Sequence, residues 1–518
     1  MNFKIVQIGI SAILASGIGL VSFVVLAAAP TAPPSVVPTI APSANTGLVL
    51  RDQTSLRSAP SDSSQVHAVL SAGDLMEVRG ARLDYLQVYD HKRERAGFVR
   101  ASSIKRLSMS TDEAPELATV VQFLHNHVGS ESLGIAYAAA FLKVASPNQR
   151  NSKTGIDVLD ALGSMADRLA QRASTATAQT KGPDTNIAAH LDVVQRYGVG
   201  FNTFERDGRM QVCYDADASR QVLVMPASNE QKVRAVLAIT LAQCTNPNQR
   251  LLEIMAQEKR HVDLLDALNL TEVPDYLRNR VYLRKAAAAS TLVFKQAQNI
   301  QPQAVQVTGL GAINTLALVN KAELSDSDQA SNHDAGIRVG AIRWAGVDVQ
   351  AQSLKGGLDL STAQGQPGET CVTLSRAKQS NASSLVKKCT YGVIWMQSAS
   401  VNSAATVLTL AIQPLAGWRE LWVFRQVGDA WAIDVLPPSR QNPNFSAQDI
   451  GYIEFAGFTP DGLLVASESR VQGRYKRSFE VLSLADYSVK KQASDPSLLS
   501  AFQKWQNVVW KKTTISLR

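Results

Sequence analysis

The spacing of apolar residues changes character twice along this chain of 518 residues, and that limits the fold more than any single motif does. From Gly47 to Leu107 short runs alternate with turns: Leu48-Val49-Leu50, Gln65 to Leu70, Asp74 to Arg79, Leu86 to Tyr89 and Ala96 to Val99. Successive strand side chains point to opposite faces, so five short runs with turns between them predict a small closed β-barrel. From residue 112 to 300 the period becomes helical, and Val158, Leu162, Met165 and Leu169 mark one helix face. Ser228 with Gln231 is a capping-box start for a helix carrying Val233, Leu237, Leu241 and Cys244. Strand-like runs return later: Gly392 to Met396, Ala405 to Ile412, Glu420 to Arg425, Ala430 to Leu436, Tyr452 to Phe455, Leu463 to Glu468 and Ser478 to Leu484. Val427-Gly428-Asp429 joins two of them as a tight hairpin.

All seven tryptophans (Trp344, Trp395, Trp418, Trp422, Trp431, Trp505 and Trp510) follow residue 340, a shift that marks a separate domain. The reading is therefore a multidomain α+β protein. It has a small all-β barrel over 47–108, a mainly helical domain over 109–300, a linker region over 301–340 and a β-rich domain, propeller-like or sandwich, over 341–518. The tryptophans read as core of that last domain before they read as platforms for sugar rings. Within the helical part, Pro147-Asn148-Gln149-Arg150 and later Asp157 to Leu162 share their words with Pro247-Asn248-Gln249-Arg250 and Asp263 to Leu268, in the same order. That order raises a duplicated helix–turn–helix unit against coincidence in Leu/Ala/Asp-rich helices.

The compartment is written at the start. Lys4 precedes an almost unbroken apolar run from Ile5 to Ala29, and a Pro/Ala/Thr/Ser linker continues over 30–46. Export-signal cores run about 7–15 residues and bilayer spans about 20, so the run reads as a membrane anchor, with a cleaved signal peptide as the alternative. Lys4 on the short side places the bulk of the chain outside the cytoplasm, on the periplasmic side of the envelope. The four cysteines agree with an oxidising compartment. Local pairing, Cys213 with Cys244 and Cys371 with Cys389, is the simplest of three connectivities, and none has metal-type Cys-x-x-Cys spacing. Net charge is +8 at 19% charged residues, a mild excess whose plain reading outside the cytoplasm is solubility, with no nucleic acid as partner.

Leu56-Arg57-Ser58-Ala59-Pro60, then Leu70-Ser71-Ala72-Gly73, then Gly97-Phe98-Val99 stand in an order that resembles the bacterial Src-homology-3-like family. The resemblance spans residues 47–107. It departs from the family at Phe98 and Tyr85, where tryptophans are common. It implies an adaptor module that binds wall peptides, a protein partner or a neighbouring domain. Tyr85, Tyr89 and Phe98 are then the groove candidates, against the alternative that they fill the small barrel. Near 452–490, Phe458-Thr459-Pro460-Asp461-Gly462 followed by strand, turn and strand is similar to a single β-propeller blade.

Catalytic signatures are absent: there is no His-Glu-x-x-His helix, no phosphate-binding Gly-rich loop and no Gly-x-Ser-x-Gly elbow. His125 and His127 are two apart, which on a helix points them away from each other and away from a shared metal. No cofactor is indicated. Arg278, Arg280, Arg284 and Lys285 are the densest basic cluster of the middle region; Arg280 and Arg284, one turn apart, suit an anionic group, and a solvated helix face is the plainer reading. The function expected from all this is an envelope binding or scaffold protein, contacting wall material or a protein partner and held to the inner membrane by its N-terminal segment. The alternative is a wall or polysaccharide hydrolase with catalytic residues in the C-terminal β domain.

Overall fold

The computed structural model describes residues 45–176, 186–206, 208–347, 354–376, 384–439 and 449–517, so the apolar run 5–29 and most of the 30–46 linker lie outside the described residues. The first segment forms seven strands rather than five: β1 (Thr46–Val49), β2 (Thr54–Arg57), β3 (Val66–Leu70), β4 (Leu75–Arg82), β5 (Tyr85–Asp90), β6 (Arg95–Arg100) and β7 (Ile104–Leu107). They pair in the order β3-β2-β6-β5-β4-β1-β7, with no ladder joining β3 to β7, so the coiled sheet is not closed by hydrogen bonds. Leu56, Met76, Val78, Val88 and Val99 fill its interior. Gly97 is needed there, because a Cβ at that position would lie 2.7 Å from the Leu56 side chain and 2.8 Å from the Arg57 carbonyl.

The helical part contains α1 (Ala114–His125), α2 (Glu131–Val144), α3 (Pro147–Arg150), α4 (Lys153–Thr175) and α5 (Ile187–Gln195). A hairpin of β8 (Phe201–Arg206) and β9 (Arg209–Tyr214) follows, then α6 (Asp217–Val224), α7 (Asn229–Ile239), α8 (Leu251–Asp266) and α9 (Asp275–Gln298). The expected stripe is buried: Val158, Leu162, Met165 and Leu169 are each 1% exposed or less. The Ser228–Gln231 capping box is present at α7. That helix ends at Ile239, and Cys244 sits on a short 3₁₀ turn beyond it. The duplicated-unit reading does not survive, because Asp157–Leu162 opens α4 whereas Asp263 to Leu268 runs off the end of α8.

The barrel is not a free module. Gly73, at φ +92°, turns the chain so closely onto α2 that a Cβ there would stand 2.8 Å from the Ser132 carbonyl. Ser132 Oγ donates to Ala72 O at 2.7 Å and the Tyr197 hydroxyl to Gly73 O at 2.6 Å. Asp52 pairs with buried His190 at 2.9 Å. Leu48 and Leu107 belong to the same apolar core as Leu117, Val121, Ile135 and Leu162. All described residues fall in one contact unit, so residue 108 is not a border between separable bodies.

The region 301–340 is not a linker. It forms α10 (Pro302–Ala317) and α11 (Asp326–Ile342), which share a core with Ala289 and Val293 of α9 and with Trp344, Trp395 and Ala411. Their sequences are rich in glycine and polar residues, which hides the helices. Gly309 and Gly340 are small because Ala345 and the Tyr452 ring press against them, at 2.6 and 2.2 Å from a built Cβ. Tertiary packing here overrides low intrinsic propensity.

The C-terminal part is β-rich, as expected. A three-stranded sheet holds β10 (Leu358–Gln364), β11 (Thr370–Arg376) and β12 (Ser384–Thr390). An eight-stranded sheet holds β13 (Val393–Val401), β14 (Val407–Leu415), β15 (Trp418–Val427), β16 (Ala430–Leu436), β17 (Ile450–Phe458), β18 (Gly462–Val471), β19 (Arg474–Ser483) and β20 (Val489–Ala493). Two short helices, α12 (Ser500–Trp505) and α13 (Val508–Thr513), close the chain. Strands β17 to β20 form a four-stranded meander across the blade-like segment. That meander joins β15 edge to edge through a parallel pairing of Trp418–Arg419 with Gly451–Tyr452, so the result is one branched sheet. Six of the tryptophans are buried and Trp505 is exposed.

A buried charge cluster ties these parts together. Glu454 of β17 accepts from Arg343 and, at 3.1 Å, from Arg419, while its other oxygen accepts from Trp510 Nε1 at 2.8 Å and from Thr514. Arg419 also donates to the Gly340 carbonyl at 2.7 Å, at the end of α11.

Candidate functional site

Three helices each turn one polar stripe toward a common cleft. On α4 the stripe is Asp160, Ser164, Asp167 and Gln171, opposite the buried apolar stripe. Helix α9 contributes Tyr276, Arg280 and Arg284, and α11 contributes Ser327, Ser331, Asp334 and Arg338. Steps of three or four residues keep each set on one face. Arg234 of α7 and the β8–β9 hairpin, through Arg206, Arg209 and Gln211, form further walls, and Arg470 reaches in from β18. The cleft holds about 1040 Å³. That is the upper end of the range for small-molecule sites, roughly 300–1,000 Å³.

Seven arginines and four aspartates line this cleft, with no lysine, histidine or cysteine among the lining residues. Most of the aspartates are already matched. Arg234 donates to Asp160 at 2.7 Å, Arg280 grips Asp328 through two bonds of 2.8 and 3.2 Å, and Arg470 donates to Asp334 at 2.7 Å. Burial pushes the Asp160 carboxyl up in spite of Arg234. Burial acts the same way on Asp328, but the bonds from Arg280 and Ser325 outweigh it and hold that carboxyl below its usual value. Among the described residues Asp167 is bonded only to a neutral group, Gln171 at 2.8 Å, and burial pushes its carboxyl up to about 6. Arg284 donates to Leu237 O at 3.2 Å and Thr240 O at 2.7 Å, where the negative end of the α7 dipole favours a cation.

The two disulfides join the expected partners, Cys213 with Cys244 and Cys371 with Cys389. The first bears on the cleft. It clamps β9 to the 3₁₀ turn Ala242–Cys244, where Arg206 Nη1 also donates to Ala242 O at 3.0 Å. The rim that carries Arg206 and Arg209 is thereby fixed relative to the end of α7. The second joins directly opposed residues of β11 and β12. Glu369 lies beside it within metal-ligand reach, but both sulfurs are taken up in the S–S bond.

Of the residues singled out in the sequence, Arg280 and Arg284 come together in the cleft. The barrel aromatics do not line it. Tyr85 is buried at 5% exposure and its hydroxyl donates to Asp62 at 2.5 Å, which makes it core rather than groove. Tyr89 is half-buried beneath the Arg79 guanidinium, 4.0 Å from the ring centroid. Phe98 is half-buried opposite Arg57 and Gln87 on the neighbouring strands. Sequence reasoning missed Arg206, Arg209, Arg234, Arg338, Arg470 and Asp167. The polar stripe of α4 was the one available signal, since it repeats in phase with the apolar one.

No helix among the described residues is long and apolar enough to cross a membrane. No family model matches this chain, and no curated protein or solved structure matches it.

Proposed function

We propose that this chain is a cell-envelope binding protein of scaffold type that takes its ligand in the arginine-lined cleft. The wall or an envelope protein would supply that ligand on the periplasmic side, with the N-terminal apolar run holding the chain to the inner membrane. One observation carries the reading. A cleft of about 1040 Å³ is lined by an excess of arginine over aspartate, and three of its four aspartates are held in ion pairs. Seven arginines against four aspartates leave the lining with a surplus of fixed positive charge, which suits recognition of an anionic ligand. The barrel, docked through Gly73 and Asp52, then serves as a spacer between membrane and cleft.

Co-sedimentation of the full chain with purified wall sacculi tests this. Binding should weaken with salt, vanish when Ser164→Trp fills the cleft, and persist in Tyr89→Ala. Retention by Ser164→Trp together with loss in Tyr89→Ala would return the binding site to the barrel.

The hydrolase reading keeps one supporting observation: burial pushes the Glu468 carboxyl up to about 7, the range of a general acid. Glu468 is 6% exposed and lies outside the cleft lining. Release of soluble sugar fragments from sacculi, abolished by Glu468→Gln, would favour it.

A further inference from the structure

Two arginines of the cleft, Arg209 and Arg338, have no side-chain partner among the described residues; Arg209 is exposed on the hairpin, whereas Arg338 is partly buried on α11. Arg234, Arg280 and Arg470 face aspartates, Arg284 caps α7, and Arg206 donates to Ala242 O. Arg338, among the described residues, has neither a hydrogen bond nor an ion pair. It is partly buried, lines the cleft and places one guanidinium nitrogen over Gly417. Burial lowers its affinity for its own proton; the Asp334 charge opposes this, and the positive charges of Arg470 and Arg206 add to it. Asp334, one turn back on α11, is the nearest carboxylate in sequence, but it is engaged by Arg470. Glu258 lies further off, buried against His261 at 3.7 Å.

Arg338 and Arg470 share one nearby aspartate, Asp334, so the positive charge gathered there is only partly offset. Such an arrangement becomes favourable once an oxyanion enters, since the planar fork presents two parallel donors to a phosphate or carboxylate. We infer that Arg338, flanked by Arg206 and Arg470, anchors a phosphate or carboxylate group of the ligand, at the end of the cleft nearest the C-terminal sheet. The hydroxyls of Ser331 and Ser327 on α11 and of Ser164 on α4 line the same cleft. The lining therefore suits an acidic, hydroxyl-rich molecule such as a sugar phosphate or a uronic acid.

The inference rests on the cleft reading above, and the test separates the two. The full chain in detergent is titrated by calorimetry with inorganic phosphate, glucose 1-phosphate and glucuronate, which distinguishes phosphate from carboxylate as the recognised group. Affinity should fall at least about tenfold in Arg338→Gln, fall less in Arg338→Lys, and hold in the barrel control Arg79→Gln. The ligand-free Arg338→Gln protein should melt no lower than the parent, because no hydrogen bond or ion pair is lost with the guanidinium. A structural arginine would instead lower the melting temperature and leave binding alone, which overturns the inference. Loss of binding in Ser164→Trp but not in Arg338→Gln removes the subsite and leaves the cleft. Unchanged binding in both variants removes both, and no binding of any probe by the parent removes the subsite.

Discussion

Glu454→Gln is the sharpest test of how the chain is held together. The Glu454 carboxylate is fully enclosed and lies between two guanidiniums, Arg343 and Arg419, exposed by 1% and 0%. Its second oxygen accepts from Trp510 Nε1 at 2.8 Å, from Thr514 and, at 3.3 Å, from Ser516. Glutamine keeps the shape but loses the charge, and whichever way its amide turns, its NH₂ faces donors. Turned toward the C-terminal segment, it leaves the Trp510 indole N–H without an acceptor; turned the other way, it opposes both arginines. Each hydrogen bond to a charged group contributes about 1.5–3 kcal/mol, and removing one member of a buried ion cluster costs about 3–5 kcal/mol, most of it from the charges left behind. Urea unfolding followed by tryptophan fluorescence should show a loss in that range. Hydrogen exchange should rise first in residues 507–517 and around Gly340–Ala341, which the cluster fixes, and stay level in the barrel strands. By contrast, Asp263→Asn at the exposed Lys259–Asp263 pair, 64% and 57% exposed, should change stability by less than about 1 kcal/mol. A loss in Glu454→Gln as small as that, or exchange rising equally in residues 46–107, would refute the reasoning.

Three further outcomes follow from the same structure. Burial raises the Glu468 carboxyl to about 7 from an ordinary 4.5, with the Arg477 charge opposing it, so its stabilising protonated form is full below pH 4.5 and lost as pH rises through 7. Glu468→Gln should melt with the parent near pH 4.5 and be more stable above pH 8 by up to about 3 kcal/mol; melting curves that stay parallel across that range contradict this. Replacing Cys213 and Cys244 by serine opens a separation of 31 residues, against 18 for Cys371 and Cys389, for losses of ~3.7 and ~3.2 kcal/mol on the chain-entropy model. Only the first pair should also weaken binding to wall sacculi, since only it fixes the cleft rim; equal weakening by both points away from the rim. Tyr85→Ala should destabilise the protein by about 3–5 kcal/mol in thermal melts while Tyr85→Phe loses only the bond to Asp62, about 1 kcal/mol, and a harmless Tyr85→Ala would put the ring back on the surface.

Local pattern carried much of the architecture. The α4 stripe, the capping box at Ser228, the Val427–Asp429 hairpin and both cysteine pairs were legible because each depends on residues near one another in sequence or on a fixed period. Helices α10 and α11 were not, because Gly309 and Gly340 read as helix breakers until Ala345 and Tyr452 are seen against them. Strands β10, β12 and β20 were missed for a related reason: hardly any of their residues is buried, so no apolar alternation marks them. The cleft itself gathers arginines from α7, α9, α11, the β8–β9 hairpin and β18, segments far apart in sequence, so only the α9 pair, Arg280 and Arg284, stood out. Tyr85 shows the opposite failure. An aromatic residue on a short strand looks the same in sequence whether it faces a groove or the core.

The account's central claim is that ligand enters the cleft among α4, α7, α9 and α11, and that the barrel does not contact it. Arginine footprinting with phenylglyoxal, read by mass spectrometry with and without soluble acidic fragments released from wall sacculi, addresses that claim most directly. The cleft and the barrel both carry arginines, so one labelling reaction reports on both. Protection should appear at Arg209, Arg284 and Arg338, with Arg57, Arg79 and Arg100 labelled as before. Protection confined to the barrel arginines, with the cleft arginines unchanged, would contradict it.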